Sequence, residues 1–239
     1  MNSSYHRNLR VTESKCIEIV KQTVGILGIN IDALFSTGTR NSPMHGSDIR
    51  LCRGNFVTAK PAGIHDGVDF HFTGKVRRIH TAAINKQLNQ GNLVVLSNLG
   101  YSLTGEVFNL SAEEIATEVA IALNAEKLIL MIPEDGVIDD KGQLIPSLSE
   151  SDAKKYADNK AILKDEDSKC ISQALYASLR AYSNHVHRIH LISFKSNGAL
   201  LQELFTREGN GSLVSNDSFD QLRDASISDV TGILNLIKP

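Results

Sequence analysis

The stretch SAEEIATEVAIALNAEKLILMI, Ser111–Ile132, decides the fold. Ser111 followed three residues later by Glu114 is a capping pattern: the serine oxygen and the later carboxylate can satisfy the free N–H groups of a helix start. The helix predicted from it runs to about Asn124. Lys127–Ile132 then reads as a buried strand, too short and too apolar for anything else. The same unit recurs downstream. Ile171–Tyr182 reads as a helix, Arg188–Ser193 as a strand, and Ala199–Thr206 as a helix with an apolar face of Leu200, Leu201, Leu204 and Phe205. Helices alternating with apolar strands imply an α/β layered fold around a mainly parallel central sheet.

Working outward, the segment after Thr12 carries apolar residues at helical spacing to Leu27, with Gly28 as its stop and a second short helix at Ile31–Phe35. Ser36–Ser47 is a loop by composition. Strands are predicted at 55–60, 68–72, 75–80 and 92–96, a helix at 82–90, and a hairpin around Thr104-Gly105 within 101–108. Asp158–Ser168 is charged and expected to be exposed. Gly209-Asn210-Gly211 reads as a tight turn, and Ser212–Ser215 as an edge strand. Beyond Asp217 the pattern changes. A strand at 222–227 and a helix at 229–237 capped by Ser228 suggest the opening of another unit.

Composition sets the outer limits. The chain has 239 residues, 41% hydrophobic and 22% charged, which is ordinary for a globular protein. Its 25 basic and 27 acidic residues give a net charge of −2, without the basic surplus of a nucleic-acid binder. No apolar run approaches the ~20 residues of a spanning helix, and the first ten residues lack a signal-peptide core. Membrane association is therefore not expected. Cys16, Cys52 and Cys170 are widely spaced and form no C-x-x-C, so they read as reduced thiols of a cytoplasmic protein.

Chemical motifs are sparse. His185, His187 and His190 form H-x-H-x-x-H, but on a strand the third lies on the opposite face from the first two, so no metal site is assigned. His65, Asp66, Asp69 and His71 read as a solvated edge. No phosphate-loop pattern opens a helix. Gly209 and Gly211 follow a helix, where glycine commonly serves as a stop. From these readings alone the chain is an α/β domain with no catalytic residues and no cofactor assigned.

Several separated blocks carry a resemblance. N-L-R-V-T at Asn8–Thr12, D-G-V-D at Asp66–Asp69, G-K-V-R-R-I at Gly74–Ile79 and S-L-T-G-E-V-F-N-L at Ser102–Leu110 lead into the helix at Ser111–Leu123. With H-L-I-S at His190–Ser193 and N-G-A-L-L-Q-E-L-F-T-R-E-G-N-G-S at Asn197–Ser212, they resemble the amino-acid-kinase-like domain of bacterial N-acetylglutamate synthases. The tail from Arg223 is similar to the first strand and helix of that family's acetyltransferase domain.

The resemblance implies an amino-acid-kinase-like, arginine-sensing domain over 1–216, and over 217–239 a linker with the first strand and helix of a GNAT-like acetyltransferase domain. The family's opening strand and glycine-rich loop would precede Asn8. Its acetyl-CoA and glutamate sites would follow Pro239, so this chain alone is expected to be inactive. The family makes N-acetyl-L-glutamate from acetyl-CoA and L-glutamate, the first step of arginine biosynthesis. It takes L-arginine as feedback effector and assembles as a homo-oligomer. By resemblance the effector site is His190, Glu203, Gly209 and Gly211, with Glu203 engaging the guanidinium fork and N–H groups near Asn197-Gly198 the α-carboxylate. Arg10, Asn109 and Glu113 match a vestigial amino-acid substrate site of the related acetylglutamate kinase. Lys169 is out of register with that kinase's second catalytic lysine. An acetylglutamate-kinase-type enzyme and an inactive gene fragment are the alternative readings.

Overall fold

Ser111 caps its helix as expected: the Glu114 N–H donates to its Oγ at 3.3 Å. The other half of the reciprocal pair does not form. Glu114 reaches across to accept the Val76 N–H at 3.0 Å, tying the helix to a neighbouring strand. The computed structural model describes residues 5–6, 9–37, 45–139, 141–159, 166–205 and 211–215.

The chain begins with a small ribbon, β1 (Tyr5–His6) and β2 (Leu9–Arg10), followed by α1 (Ser14–Phe35). Then come β3 (Leu51–Cys52), β4 (Val57–Pro61), a minor hairpin of β5 (Ile64–His65) and β6 (Val68–Asp69), and β7 (Gly74–Ile79). Helix α2 (Thr81–Asn89), β8 (Leu93–Val94), β9 (Leu99–Tyr101), β10 (Val107–Asn109) and α3 (Ala112–Ala122) complete the first half. The second half holds β11 (Lys127–Ile132), β12 (Ser147–Leu148), α4 (Glu150–Asp158), α5 (Glu166–Tyr182), β13 (Arg188–Ser193), α6 (Ala199–Phe205) and β14 (Ser212–Val214).

Two four-stranded sheets organise these elements, in the orders β10-β9-β4-β7 and β11-β13-β14-β12. Parallel pairs are β9 with β4, β11 with β13, and β12 with β14, and the other three pairs are antiparallel. Each sheet has its own apolar core. Phe56, Val57, Ile79, Ile84 and Phe108 fill the first, and Leu128, Ile132, Leu175, Ile189 and Leu191 the second. Helix α3 serves both: Ile115 belongs to the first cluster and Ala120 to the second.

Four expectations are corrected. Helix α1 does not stop at Gly28 but runs through it to Phe35. A Cβ on Gly28 would collide with the Arg53 guanidinium, so this glycine makes room for a neighbour. The 68–72 strand contracts to Val68–Asp69. β14 is no edge strand, since it pairs with β13 on one side and β12 on the other. The leucines of α6 do not face the core: Leu200, Leu201, Leu204 and Phe205 are 42%, 62%, 45% and 80% exposed. Helix α4 was not anticipated. Its buried face is only Ala153 and Ala157, too small an apolar signal to read. The strand and helix expected beyond Asp217 lie outside the described residues. No helix among the described residues is long and apolar enough to cross a membrane.

Candidate functional site

β13 carries alternating side chains, so Ile189 and Leu191 turn into the second core while His190 turns to the opposite face of the sheet. Helix α6 lies across that face. With Ala199 it directs Glu203 inward, one turn apart on the same side of the helix. This is why the leucines of α6 point outward: a carboxylate occupies the buried stripe. His190 Nδ1 contacts Glu203 Oε1 directly, and the two side chains are only 13% and 10% exposed. Burial pushes the imidazole below its ordinary pKa. The Glu203 charge works the other way, and Lys127 and Arg188 depress it further. His190 Nε2 is buried and, among the described residues, has no hydrogen-bond partner.

Gly211 sits directly before β14 with φ +149°. A Cβ there would overlap the Leu191 carbonyl oxygen and approach Ile192 Cγ2 to 3.1 Å. Its glycine requirement thus comes from close strand packing beside His190. Gly209 lies outside the described residues. His190, Glu203 and Gly211 fall in one neighbourhood, where Glu203 meets an imidazole.

 

Arg10, Asn109 and Glu113 all line one cavity of about 600 Å³. Asn109 is buried and already engaged. Its Oδ1 accepts from Asn98 Nδ2 at 2.8 Å, and its Nδ2 donates to Thr12 Oγ1 at 3.1 Å. Glu113 accepts the Ser111 hydroxyl within its own helix cap. Arg10 Nε and Thr117 Oγ1 are buried without partners among the described residues, and both residues line the cavity. Thr117 carried no motif in the sequence and was missed.

The histidines of H-x-H-x-x-H separate. His185 has φ +71° at the end of α5, and its ring meets His187 edge-on, with centroids 6.3 Å apart, while His190 belongs to β13. Among the described residues no group of three or more His, Cys, Asp or Glu side chains is placed to hold a metal ion.

The model of the amino acid kinase family matches residues 1–193. The chain is 46% identical over 235 residues to an amino-acid acetyltransferase of Ectopseudomonas mendocina, covering 98% of this chain and 53% of that protein. It thus spans about half the length of the curated relatives it matches. Among solved structures, it resembles N-acetylglutamate synthase from Neisseria gonorrhoeae complexed with coenzyme A and L-arginine. That match has a TM-score of 0.83 and 32% identity, over 98% of this chain and 54% of the other. The same enzyme complexed with coenzyme A and N-acetyl-glutamate gives a TM-score of 0.80 and 33% identity, over 99% and 52%.

Proposed function

We infer that this chain, which belongs to the amino acid kinase family, is the arginine-sensing region of an N-acetylglutamate synthase. The observation that carries this reading is the buried Glu203 carboxylate, turned inward on α6 against His190. A carboxylate held away from water favours a cationic ligand, and a guanidinium offers the matching donors. The gonococcal relative complexed with L-arginine supports the choice of ligand. Feedback requires that arginine bind one arrangement of the protein more tightly than another.

The whole protein, on this reading, transfers an acetyl group from acetyl-CoA to L-glutamate, the first step of arginine biosynthesis. Residues 1–216 form the sensing domain, and 217–239 a linker leading into the acetyltransferase domain. The chain itself holds no cofactor. It acts in the cytoplasm and as a homo-oligomer. The outward face of α1, with Ile26, Leu27, Ile29 and Leu34 all more than half exposed, supports assembly. The Arg10, Asn109 and Glu113 cavity is a vestigial substrate site, because two of its three residues are committed to internal hydrogen bonds.

Calorimetric titration with L-arginine tests the central reading. Binding is expected, with at least ~10-fold loss in Glu203→Ala, in line with the loss of a charge-assisted hydrogen bond. A folded sample that binds no arginine, or an unchanged affinity in that variant, refutes it. Phosphorylation of acetylglutamate by the purified chain would instead favour a kinase.

A further inference from the structure

Helix α5 ends in a turn that holds two imidazoles side by side. The His185 N–H donates to the Tyr182 carbonyl and the Val186 N–H to the Ala181 carbonyl, each at 3.1 Å. These bonds close the helix with His185 in the left-handed region, at φ +71°. Glycine is the usual residue at such a stop, because a Cβ there costs energy. Val186 is fully buried, and β13 begins at Arg188. The backbone under both histidines is therefore anchored. It is the helix stop, and not a strand, that sets His185 beside His187. Both side chains are exposed. Their ring centroids lie 6.3 Å apart, and the Tyr182 ring meets His187 edge-on at 6.1 Å. Among the described residues, neither imidazole has a hydrogen-bond or ion-pair partner.

Size decides what fits between the rings. A zinc–imidazole bond is ~2.0–2.1 Å long and the nitrogen lies about 1.1 Å from its ring centre, so two rings on one ion have centres at most ~6.4 Å apart. The observed spacing is just inside that limit. Turning either exposed ring about its side-chain torsions closes it to the ~5 Å of a tetrahedral pair, with no backbone movement.

We propose that His185 and His187 form a two-imidazole site for a divalent first-row transition ion such as zinc, with water in the remaining positions, and that the bound ion staples the end of α5 to the entry of β13. Imidazole favours such an ion over magnesium or calcium, which take oxygen ligands. No third protein ligand is placed there among the described residues. The site is thus weaker than a closed structural zinc centre, and its ion exchanges. Two of the four ligands of a closed site, taken as half its binding free energy, give a Kd of ~1–200 µM. The site shares no residue with the His190–Glu203 pair and is independent of the arginine reading.

Zinc titration of the untagged chain tests this, followed by the ring 15N signals of His185 and His187 and by Tm. Cysteine thiolates also take zinc, so the two ring signals are read and not total uptake. Both should shift together, and Tm should rise by ~2–10 °C at 100 times the Kd. Magnesium should move neither ring. His185→Asn keeps a residue that tolerates the left-handed turn, and His187→Gln keeps a polar side chain. Each should weaken binding at least ~10-fold and abolish the rise in Tm. Rings that stay unmoved up to ~1 mM zinc, or a zinc response that survives either substitution, overturn the site. Rings that shift while Tm stays constant overturn the staple.

Discussion

Gly211→Ala tests the packing that places β14 beside His190. The added Cβ would overlap the Leu191 carbonyl oxygen and sit 3.1 Å from Ile192 Cγ2. The first obstacle is backbone, so the strand must move. It can do so only by straining its pairing with β13, Leu191 opposite Ser212 and His190 opposite Leu213. Overpacking of a filled site costs ~1–3 kcal/mol. The φ of +149° adds strain for any L side chain, of order ~1–3 kcal/mol. Together these give ~2–6 kcal/mol. For a domain of this size that lowers Tm by ~4–24 °C. Thermal unfolding followed by circular dichroism measures it. Gly25→Ala is the control: it lies in α1 with nothing within 4 Å of an added Cβ, so it should gain ~0.5–1 kcal/mol. A Gly211→Ala protein melting within ~2 °C of the parent refutes the reasoning, because strain on this scale cannot hide in so small a shift.

Other outcomes follow from single contacts. Ser111→Ala removes the cap of α3 and should cost ~1 kcal/mol, read as a lower denaturant midpoint at constant slope. Thr117→Val replaces a buried hydroxyl that has no partner among the described residues and should stabilise by ~1 kcal/mol; a less stable variant would show that the hydroxyl is satisfied. Burial, its largest influence, pushes the Glu114 carboxyl above its ordinary pKa, against the Val76 N–H and the Arg180 charge. The folded state then holds this proton more tightly than the unfolded state. Its contribution is full below the unfolded pKa and is lost as pH rises through the raised folded value. Glu114→Gln should flatten the stability profile just above the ordinary carboxylate range, and an unaltered profile would count against the assignment.

The legible parts of the fold were those with a local cause. β11 and β13 match their expected ranges residue for residue: β11 is an apolar run behind Lys127, and β13 sets Ile189, Leu191 and Ile192 around His190. Helix α3 announced itself through its cap. What escaped depends on distant partners. Gly28 reads as a helix stop until Arg53 is seen beside it. β14 reads as an edge because nothing local names its second neighbour. The inverted face of α6 is the most instructive case. Four exposed apolar residues outvote one buried carboxylate in any periodicity count, so the pattern pointed away from the site. Asn109 was singled out by resemblance, yet its bond to Thr12, 97 positions away, is what commits it internally.

Helix α3 contributes Ile115 to one core and Ala120 to the other. A wall shared by two rooms cannot be taken down for one of them alone. Loosening either sheet exposes the helix side that the other still needs, so the two halves should lose protection as one unit. In amide exchange, the interior N–H groups of α3 should open only with the whole molecule, while α6, seven residues long with its leucines in solvent, should open far sooner. The element that carries Glu203 is thus freer to open than α3, and its motion need not disturb the cores behind it.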